Sequence, residues 1–377
     1  MKQRMGKLDF AILIVTILLT LFGLVMVFSA SYYEAQENKG GVSTFYLTKQ
    51  LWGAAVGLVA MVAASYVSYK VYNRPIIPYL LVGISIVLLI VVLFVDSKNN
   101  VNRFLNIGGV SFQPSELGRL AVVFFIAWWV PKHGDKMRSD NLKVVFTQGL
   151  GMPLIVAGGI SGLILLGRNL SMAVSTLMIT LVMLMVAGVR LKPLLILIAA
   201  TAVFGVVFTV TESYRMTRMI VFMNPWDYVG KDTKDEGYQL VQSLYALGNG
   251  GIFGVGLGNS RQKLLYLPYM YSDFILSIIG EELGFLGMGA LVLAFWVLLW
   301  RGMLVAAKAI DEYAMMLATG ITGLIGVQFL INLLVVTSTM PPTGVPLPFI
   351  SAGNTSLIVF MAAVGVLLNV SRFRLKT

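Results

Sequence analysis

The chain has no cysteine and a single histidine, and only 12% of its 377 residues are charged. Without cysteine there are no disulfides, thiolate nucleophiles, iron–sulfur clusters or cysteine zinc sites, and nothing marks the redox compartment. A Ser-His-Asp triad would have to use His133, in the polar stretch Pro131-Lys132-His133-Gly134-Asp135, and a poly-histidine metal site is excluded. Any metal here would be a hard cation on oxygen ligands. Acids are the scarcer charge, 17 against 28 Lys and Arg, for a net charge of +11. That balance suggests no nucleic acid, because the charges lie between apolar runs and not on one face of a soluble module.

What is abundant is apolar: 58% of the residues, with a mean hydropathy of +0.84. A soluble globule carries about a quarter charged residues and is roughly half apolar. The 12 prolines and 38 glycines follow no period, so collagen-like and low-complexity classes also fall. The expectation is an all-α polytopic membrane protein. A bilayer core of roughly 30 Å needs about 20 apolar residues per helix. About ten stretches qualify or nearly so, near 10 to 31, 50 to 68, 76 to 95, 115 to 131, 145 to 166, 170 to 189, 194 to 211, 273 to 300, 313 to 338 and 351 to 371. The uncharged run from Phe10 to Ala30 is longer than the apolar region of a cleavable signal, and no cleavage pattern follows it before Glu34.

With both termini placed inside, sixteen Lys and Arg fall on the inner segments and six on the short outer ones. The remaining six of the 28 lie in one large outer loop, about 212 to 272, between spans 7 and 8. Cytoplasmic segments collect Lys and Arg, so both termini are expected in the cytoplasm. A loop of that length in a compact protein is usually functional. Within it Tyr238, Leu240, Val241, Leu244 and Tyr245 repeat at helical spacing up to Gly248, which predicts a helix lying on the membrane or packing on its own protein. No internal repeat is visible, so residues 1–377 read as one membrane domain without the inverted repeats of many transporters.

The unusual polar residues converge on the outer face. Asn102-Arg103 and Gly108-Gly109 lead into Ser111-Phe112-Gln113-Pro114-Ser115-Glu116, where Pro114 suits a helix start. Arg119 then lies about one turn inside a span, where a cation needs a partner or a wet cavity. The plain alternative is an ion pair with Glu116 or with a glutamate on another helix. Asp273 opens the eighth span, after Leu267-Pro268-Tyr269-Met270-Tyr271-Ser272. It is either a helix cap or a carboxylate facing whatever the loop encloses. Glu281 and Glu282 follow roughly 12 Å deeper at 1.5 Å per residue and need partners or protons. The stretch 341–351 holds four of the twelve prolines and reads as a stiff extended connection, with the hydroxyls of Thr343, Ser351 and Thr355 around it. The run Gly248-Asn249-Gly250-Gly251-Ile252-Phe253-Gly254-Val255-Gly256-Leu257-Gly258 has nucleotide-fingerprint spacings but no flanking strand–helix–strand unit, so the nucleotide reading is discarded.

In these residues, and in their order along nearly the whole chain, the sequence resembles the SEDS family (shape, elongation, division and sporulation) of FtsW, RodA and SpoVE proteins. The segments that carry the resemblance are Phe22-Gly23-Leu24-Val25-Met26-Val27-Phe28-Ser29-Ala30-Ser31, Phe112-Gln113-Pro114-Ser115-Glu116, Gly237-Tyr238-Gln239, Gly254-Val255-Gly256-Leu257-Gly258, Asp273-Phe274-Ile275, Gly280-Glu281-Glu282-Leu283-Gly284 and Thr343-Gly344-Val345-Pro346-Leu347-Pro348-Phe349-Ile350-Ser351. The wording leans to the FtsW/SpoVE branch. The resemblance implies a peptidoglycan glycosyltransferase in the cytoplasmic membrane of a bacterium, polymerising lipid II on the outer face. It also implies a class B penicillin-binding protein transpeptidase as partner, within the division or elongation machinery. Family positions map the catalytic aspartate to Asp273 and basic site residues to Lys263, Arg103 and Arg119. The sequence departs from the family at Tyr269 to Ser272, at Asn169 where an aspartate is usual, and at Ala352-Gly353-Asn354-Thr355.

Elongation joins an acceptor sugar 4-hydroxyl to an anomeric carbon that carries lipid diphosphate. The attacking hydroxyl needs a base, a role that falls to Asp273. The leaving diphosphate needs charge neutralisation, for which Lys263, Arg103 and Arg119 are candidates, with Glu116, Ser351 and Thr343 as further substrate-binding candidates. A divalent cation, Mg or Mn, would serve the same end on oxygen ligands. The rival reading is a lipid II flippase, for which the deeper Arg168, Glu281 and Glu282 would matter more than Asp273. A third is a scaffold that only recruits a penicillin-binding partner.

Overall fold

A computed structural model describes residues 6–95, 103–107, 110–211, 213–228 and 236–373. Asn102 and Gly108-Gly109 lie outside the described residues. Helices dominate. In chain order they are α1 (Phe10–Asn38), α2 (Phe45–Tyr66), the single turn α3 (Tyr69–Tyr72) and α4 (Ile76–Leu93). A hairpin of β1 (Leu105–Ile107) and β2 (Val110–Phe112) precedes α5 (Pro114–Met137). Then come the single turn α6 (Leu142–Val144), α7 (Gly151–Leu166), α8 (Leu170–Val186) and α9 (Leu191–Val210). The segment 211–274 contributes α10 (Ser213–Met223) and α11 (Glu236–Gly250), and the chain closes with α12 (Ile275–Ala307), α13 (Glu312–Val336) and α14 (Asn354–Ser371).

Among the described residues seven helices are long and apolar enough to cross a membrane: α1, α2, α4, α9, α12, α13 and α14. Residues 142–149 with α7, bent by 60°, make an eighth. The expected number was about ten. Of the other two stretches, α8 has only 17 residues, about 26 Å at 1.5 Å per residue. The other, α5, carries Glu116, Arg119, Lys132 and Lys136 along its length. Helix α1 also runs past the expected end at 31 to Asn38, because helix propensity continues after the apolar run stops.

Polar caps and pairs set the helix ends. Asp9 caps α1 through Ile12 N (3.4 Å) and pairs with Arg301 at the far end of α12 (2.6 Å), while its own N–H donates to Ser371 Oγ at the end of α14 (3.0 Å). Asn169 caps α8 and Asp311 caps α13. The centre of the bundle is α5, α13 and α14: α5 packs against α4, α7, α8 and α13, and α14 lies along α2. By contrast α9 is the least enclosed of the seven spans, as apolar side chains facing lipid would be.

The segment 251–256 explains the glycine run. Helix α12 is broken at Gly284, whose φ of 66° and ψ of −164° are not helical. The carbonyls of Glu281 and Glu282 would normally accept from the amides of residues 285 and 286. They accept instead from Val255 N and Gly256 N (both 3.0 Å), and Phe285 N and Leu286 N donate to Gly251 O and Ile252 O (2.9 and 3.1 Å). The loop thus takes over these hydrogen bonds of the missing helical turn and satisfies all four backbone groups. A Cβ at Gly284 would come within 2.3 Å of Gly254 N, so only glycine permits this approach. The expected helix in the loop is α11, which continues to Gly250 and packs Leu240, Val241 and Ala246 against its own protein.

Candidate active site

A cavity of 780 Å³ opens between the hairpin, the start of α2, α10, the 269–274 segment and the proline-rich stretch before α14. Asp273 and Arg103 line it, together with Arg218, Lys49, Asn169, Gln239 and Asn354.

Asp273 is not a helix cap: α12 starts at Ile275, its N-cap residue is Phe274, and no side chain caps it. The backbone around the aspartate is instead fastened to the proline-rich stretch. Asn332 Nδ2 on α13 donates to both Asp273 O and Val345 O (2.8 Å each). Ser351 Oγ donates to Ser272 O (2.6 Å), and Ala352 N donates to Tyr271 O (2.9 Å). The carboxylate itself accepts no hydrogen bond from the described residues, which leaves it open to a ligand. Gly344, with φ of 68°, lies against it, and a Cβ there would sit 3.2 Å from Asp273 Oδ2. Burial pushes the carboxyl up to about 6, and the positive charges of Arg103 and Arg218 hold it from rising further. A carboxylate titrating there is mostly ionised at neutral pH yet is a stronger base than a free one.

Both arginines are held by main-chain carbonyls. Arg103 Nη2 donates to Arg168 O (2.5 Å) on a residue with φ of 60°, and Arg218 Nη1 donates to Pro342 O (3.2 Å). The hairpin that carries Arg103 toward the cavity is tied to α14 through Thr355 Oγ1, which donates to Ser111 O (2.9 Å) and accepts from Gln113 N (3.2 Å). Asn169, where the resembling family usually has an aspartate, lines the cavity and caps α8 through Met172 N (3.3 Å).

The other expected site residues lie elsewhere. Arg119 is fully buried; it pairs with Glu116 and bonds Gln328 and Ser175. Gln328 in turn donates to Pro346 O (2.9 Å), so the Arg119–Glu116 pair supports the proline-rich stretch from behind and does not line the cavity. Lys263 Nζ is directed to Glu282 Oε1 (3.0 Å), Ser29 Oγ (3.2 Å) and Gly258 O (2.5 Å), away from the cavity. Glu281 bonds Ser260 and the backbone amides of Arg261 and Gln262 (3.2 Å each). Thus Glu281 and Glu282 clamp the 255–263 segment onto the break in α12. Ser351 holds a turn, accepting from Leu347 N (2.7 Å), and Thr343 is buried beside Gly344 without lining the cavity.

Arg218 is the residue that sequence reasoning missed. It lay among the loop charges, and only the α10 helix brings it to Pro342, more than a hundred residues away. Its one signal was an isolated basic residue within an apolar run, Met216 to Met223. Among the described residues no group of three or more His, Cys, Asp or Glu could hold a metal by itself.

A sequence model of the cell cycle protein family of FtsW, RodA and SpoVE matches residues 9–376. The probable peptidoglycan glycosyltransferase FtsW of Geobacter sp. (strain M18) is 36% identical over 372 residues, covering 98% of each chain. Stage V sporulation protein E of Bacillus subtilis is 37% identical over 375 residues, covering 97% of each. Among solved structures, a chain from a peptidoglycan synthase complex that coordinates polymerization and crosslinking superposes with a TM-score of 0.76 at 24% identity, covering 97% of this chain and 98% of that one. The rod shape determining protein RodA of Thermus thermophilus gives 0.68 at 23% identity, covering 98% of each.

Proposed function

This chain belongs to the FtsW, RodA and SpoVE family, and from that membership we propose a peptidoglycan glycosyltransferase that polymerises lipid II into glycan strands at the outer face of the bacterial cytoplasmic membrane. It is a multi-pass protein. We count α5 and α8, packed among spanning neighbours, as spans too, which gives ten with both termini cytoplasmic. The partner in this reading is a class B penicillin-binding protein of the division or elongation machinery.

The observation that carries the mechanism is one unbonded carboxylate that shares a cavity large enough for sugars with two arginines whose charge acts on it. Asp273 takes the proton of the acceptor 4-hydroxyl as that oxygen bonds to the donor's anomeric carbon. The bond from that carbon to the lipid diphosphate breaks, and its electron pair leaves with the diphosphate, whose charge Arg103 and Arg218 neutralise. Attack opposite the leaving group inverts the carbon, so an α-linked donor gives a β-linked glycan. Were a magnesium or manganese ion to bind here, Asp273, the one carboxylate among the residues lining the cavity, would be its protein ligand. When bound, such an ion supplies further neutralisation of the diphosphate. Arg119 and Glu116 act as positioning residues through Gln328, and Lys263 through Glu282.

A lipid II flippase is the rival. It rested on the deep glutamates, and both are engaged in the clamp on the α12 break, so no observation favours it. The test is polymer formation from labelled lipid II by the protein with a transglycosylase-inactive partner. Wild type should make glycan and folded Asp273→Ala none. Glycan from the folded variant, or no glycan from either with lipid II still translocated in liposomes, overturns the proposal.

A further inference from the structure

Each glycosyl transfer brings two lipid diphosphates to one cavity. The donor's diphosphate hangs on the reacting carbon, so its charge must lie beside Asp273. The acceptor's diphosphate sits two sugar rings away from its reacting 4-hydroxyl, so its charge must lie further off. The cations of the cavity divide in the same way. Arg103 and Arg218 are the positive charges that act on the Asp273 carboxylate. Lys49, on α2, lines the same cavity but is not one of them.

The same cavity is lined by a platform of suitable chemistry. Tyr271 is two residues before Asp273, and its hydroxyl donates to that of Tyr46 (3.2 Å), with ring centroids 4.3 Å apart. Tyr46 and Lys49 are three apart on α2 and so share a helix face. Chain adjacency and the tyrosine contact thus connect carboxylate, tyrosine pair and lysine within one cavity lining. Aromatic side chains with polar tips combine an apolar surface for sugar C–H groups with hydroxyls for sugar oxygens. Lys49 is exposed, rests above the Phe45 ring (4.4 Å) and has no acidic partner among the described residues. Asn354 closes this end of the cavity: a Cβ at Gly53, one turn further along α2, would lie 3.0 Å from its Oδ1. A compact ammonium on a flexible stem suits a phosphate that arrives and leaves once per cycle.

We propose that Lys49 binds the diphosphate of the acceptor lipid, with Tyr46 and Tyr271 under its two sugars, so that the acceptor's 4-hydroxyl reaches Asp273. This assignment rests on the polymerase reading. It gives α2 the acceptor, and gives the hairpin and α10 the donor.

The test uses the full chain with its partner in neutral detergent, so that anionic lipid headgroups do not compete. The donor is a labelled lipid II capped on its terminal 4-hydroxyl, which can donate but not accept, and native lipid II is the acceptor. Formation of capped tetrasaccharide is followed against each concentration in turn. Lys49→Gln should raise the half-saturating acceptor concentration roughly tenfold, the scale of one charge-assisted contact, and leave the donor's in place. Lys49→Arg should recover most of the loss. An unchanged acceptor dependence, or a shift in the donor's instead, overturns the assignment and leaves the polymerase reading intact. No capped product from wild type overturns both.

Discussion

Replacing Asp273 with asparagine should abolish polymerisation and yet stabilise the fold at alkaline pH. The carboxyl is raised from an ordinary 3.8 to about 6 because burial disfavours its charged form. A group whose folded pKa lies above its unfolded one contributes stability that is complete below the unfolded value and is lost as pH rises through the folded value. At pH 8 the folded protein therefore bears the whole cost of an ionised carboxylate. Two units at 1.36 kcal/mol each give about 3 kcal/mol, a ceiling because water in the cavity screens the charge. The asparagine amide carries no such charge, so Asp273→Asn should unfold at a higher temperature than wild type at pH 8. The gap should narrow to about half at pH 5 and nearly close at pH 4. Thermal unfolding followed by tryptophan fluorescence in detergent reads the gap, and labelled lipid II reads the activity. The wild-type kcat/KM should fall as pH drops through about 6. A variant no more stable than wild type at pH 8, or a wild-type profile without that acid limb, would refute the placement of an unbonded carboxylate in a desolvated site.

Removing the positive charge in Arg218→Gln should raise the Asp273 pKa further, moving the acid limb of kcat/KM upward from about 6; a limb that stays in place or moves down would mean Arg218 does not act on Asp273. Asn332→Ala deletes the amide that joins Asp273 O to Val345 O, so kcat should fall more than KM changes, with a stability loss of about 2 kcal/mol measured in denaturant. Lys263→Met leaves Glu282 buried with Ser29 alone and should destabilise the protein by about 3 to 5 kcal/mol. Adding Glu282→Gln should recover part of that loss in the same melting measurement; equal single and double variants would mean that Lys263 serves substrate and not the α12 break.

Much of this architecture is legible in the sequence because a bilayer imposes a length. Windows of apolar residues locate α1, α2, α4, α9, α12, α13 and α14, although α1 and α12 each end seven residues beyond the expected bound. The break in α12 is not legible. Its cause is a hydrogen-bond exchange with a loop some thirty residues upstream, and the glycines that allow it have the same spacing as an unrelated phosphate-binding motif. The site is half legible. Asp273 stands out as a charge that opens an apolar run and Arg103 is reached through the family resemblance, but Arg218 reaches the cavity only through α10, whose short amphipathic pattern carries no hint of Pro342.

The same limit explains why Arg119 and Lys263 look like site residues in sequence and behave as structural ones in the fold. A cation among apolar residues signals that something compensates it, and sequence leaves open whether that is a protein carboxylate or a ligand. Arg119 lies three residues after Glu116, on the same face of α5, so its partner was at hand in the sequence. Lys263 meets Glu282 only because the 255–263 segment folds onto α12. The cations that line the cavity are Arg103 and Arg218, each donating to a main-chain carbonyl, and Lys49, above an aromatic ring. Arg103, Arg218 and Lys49 outnumber Asp273 among the charged residues that line the cavity, and that excess of positive charge suits the diphosphate-bearing lipids of the proposed reaction.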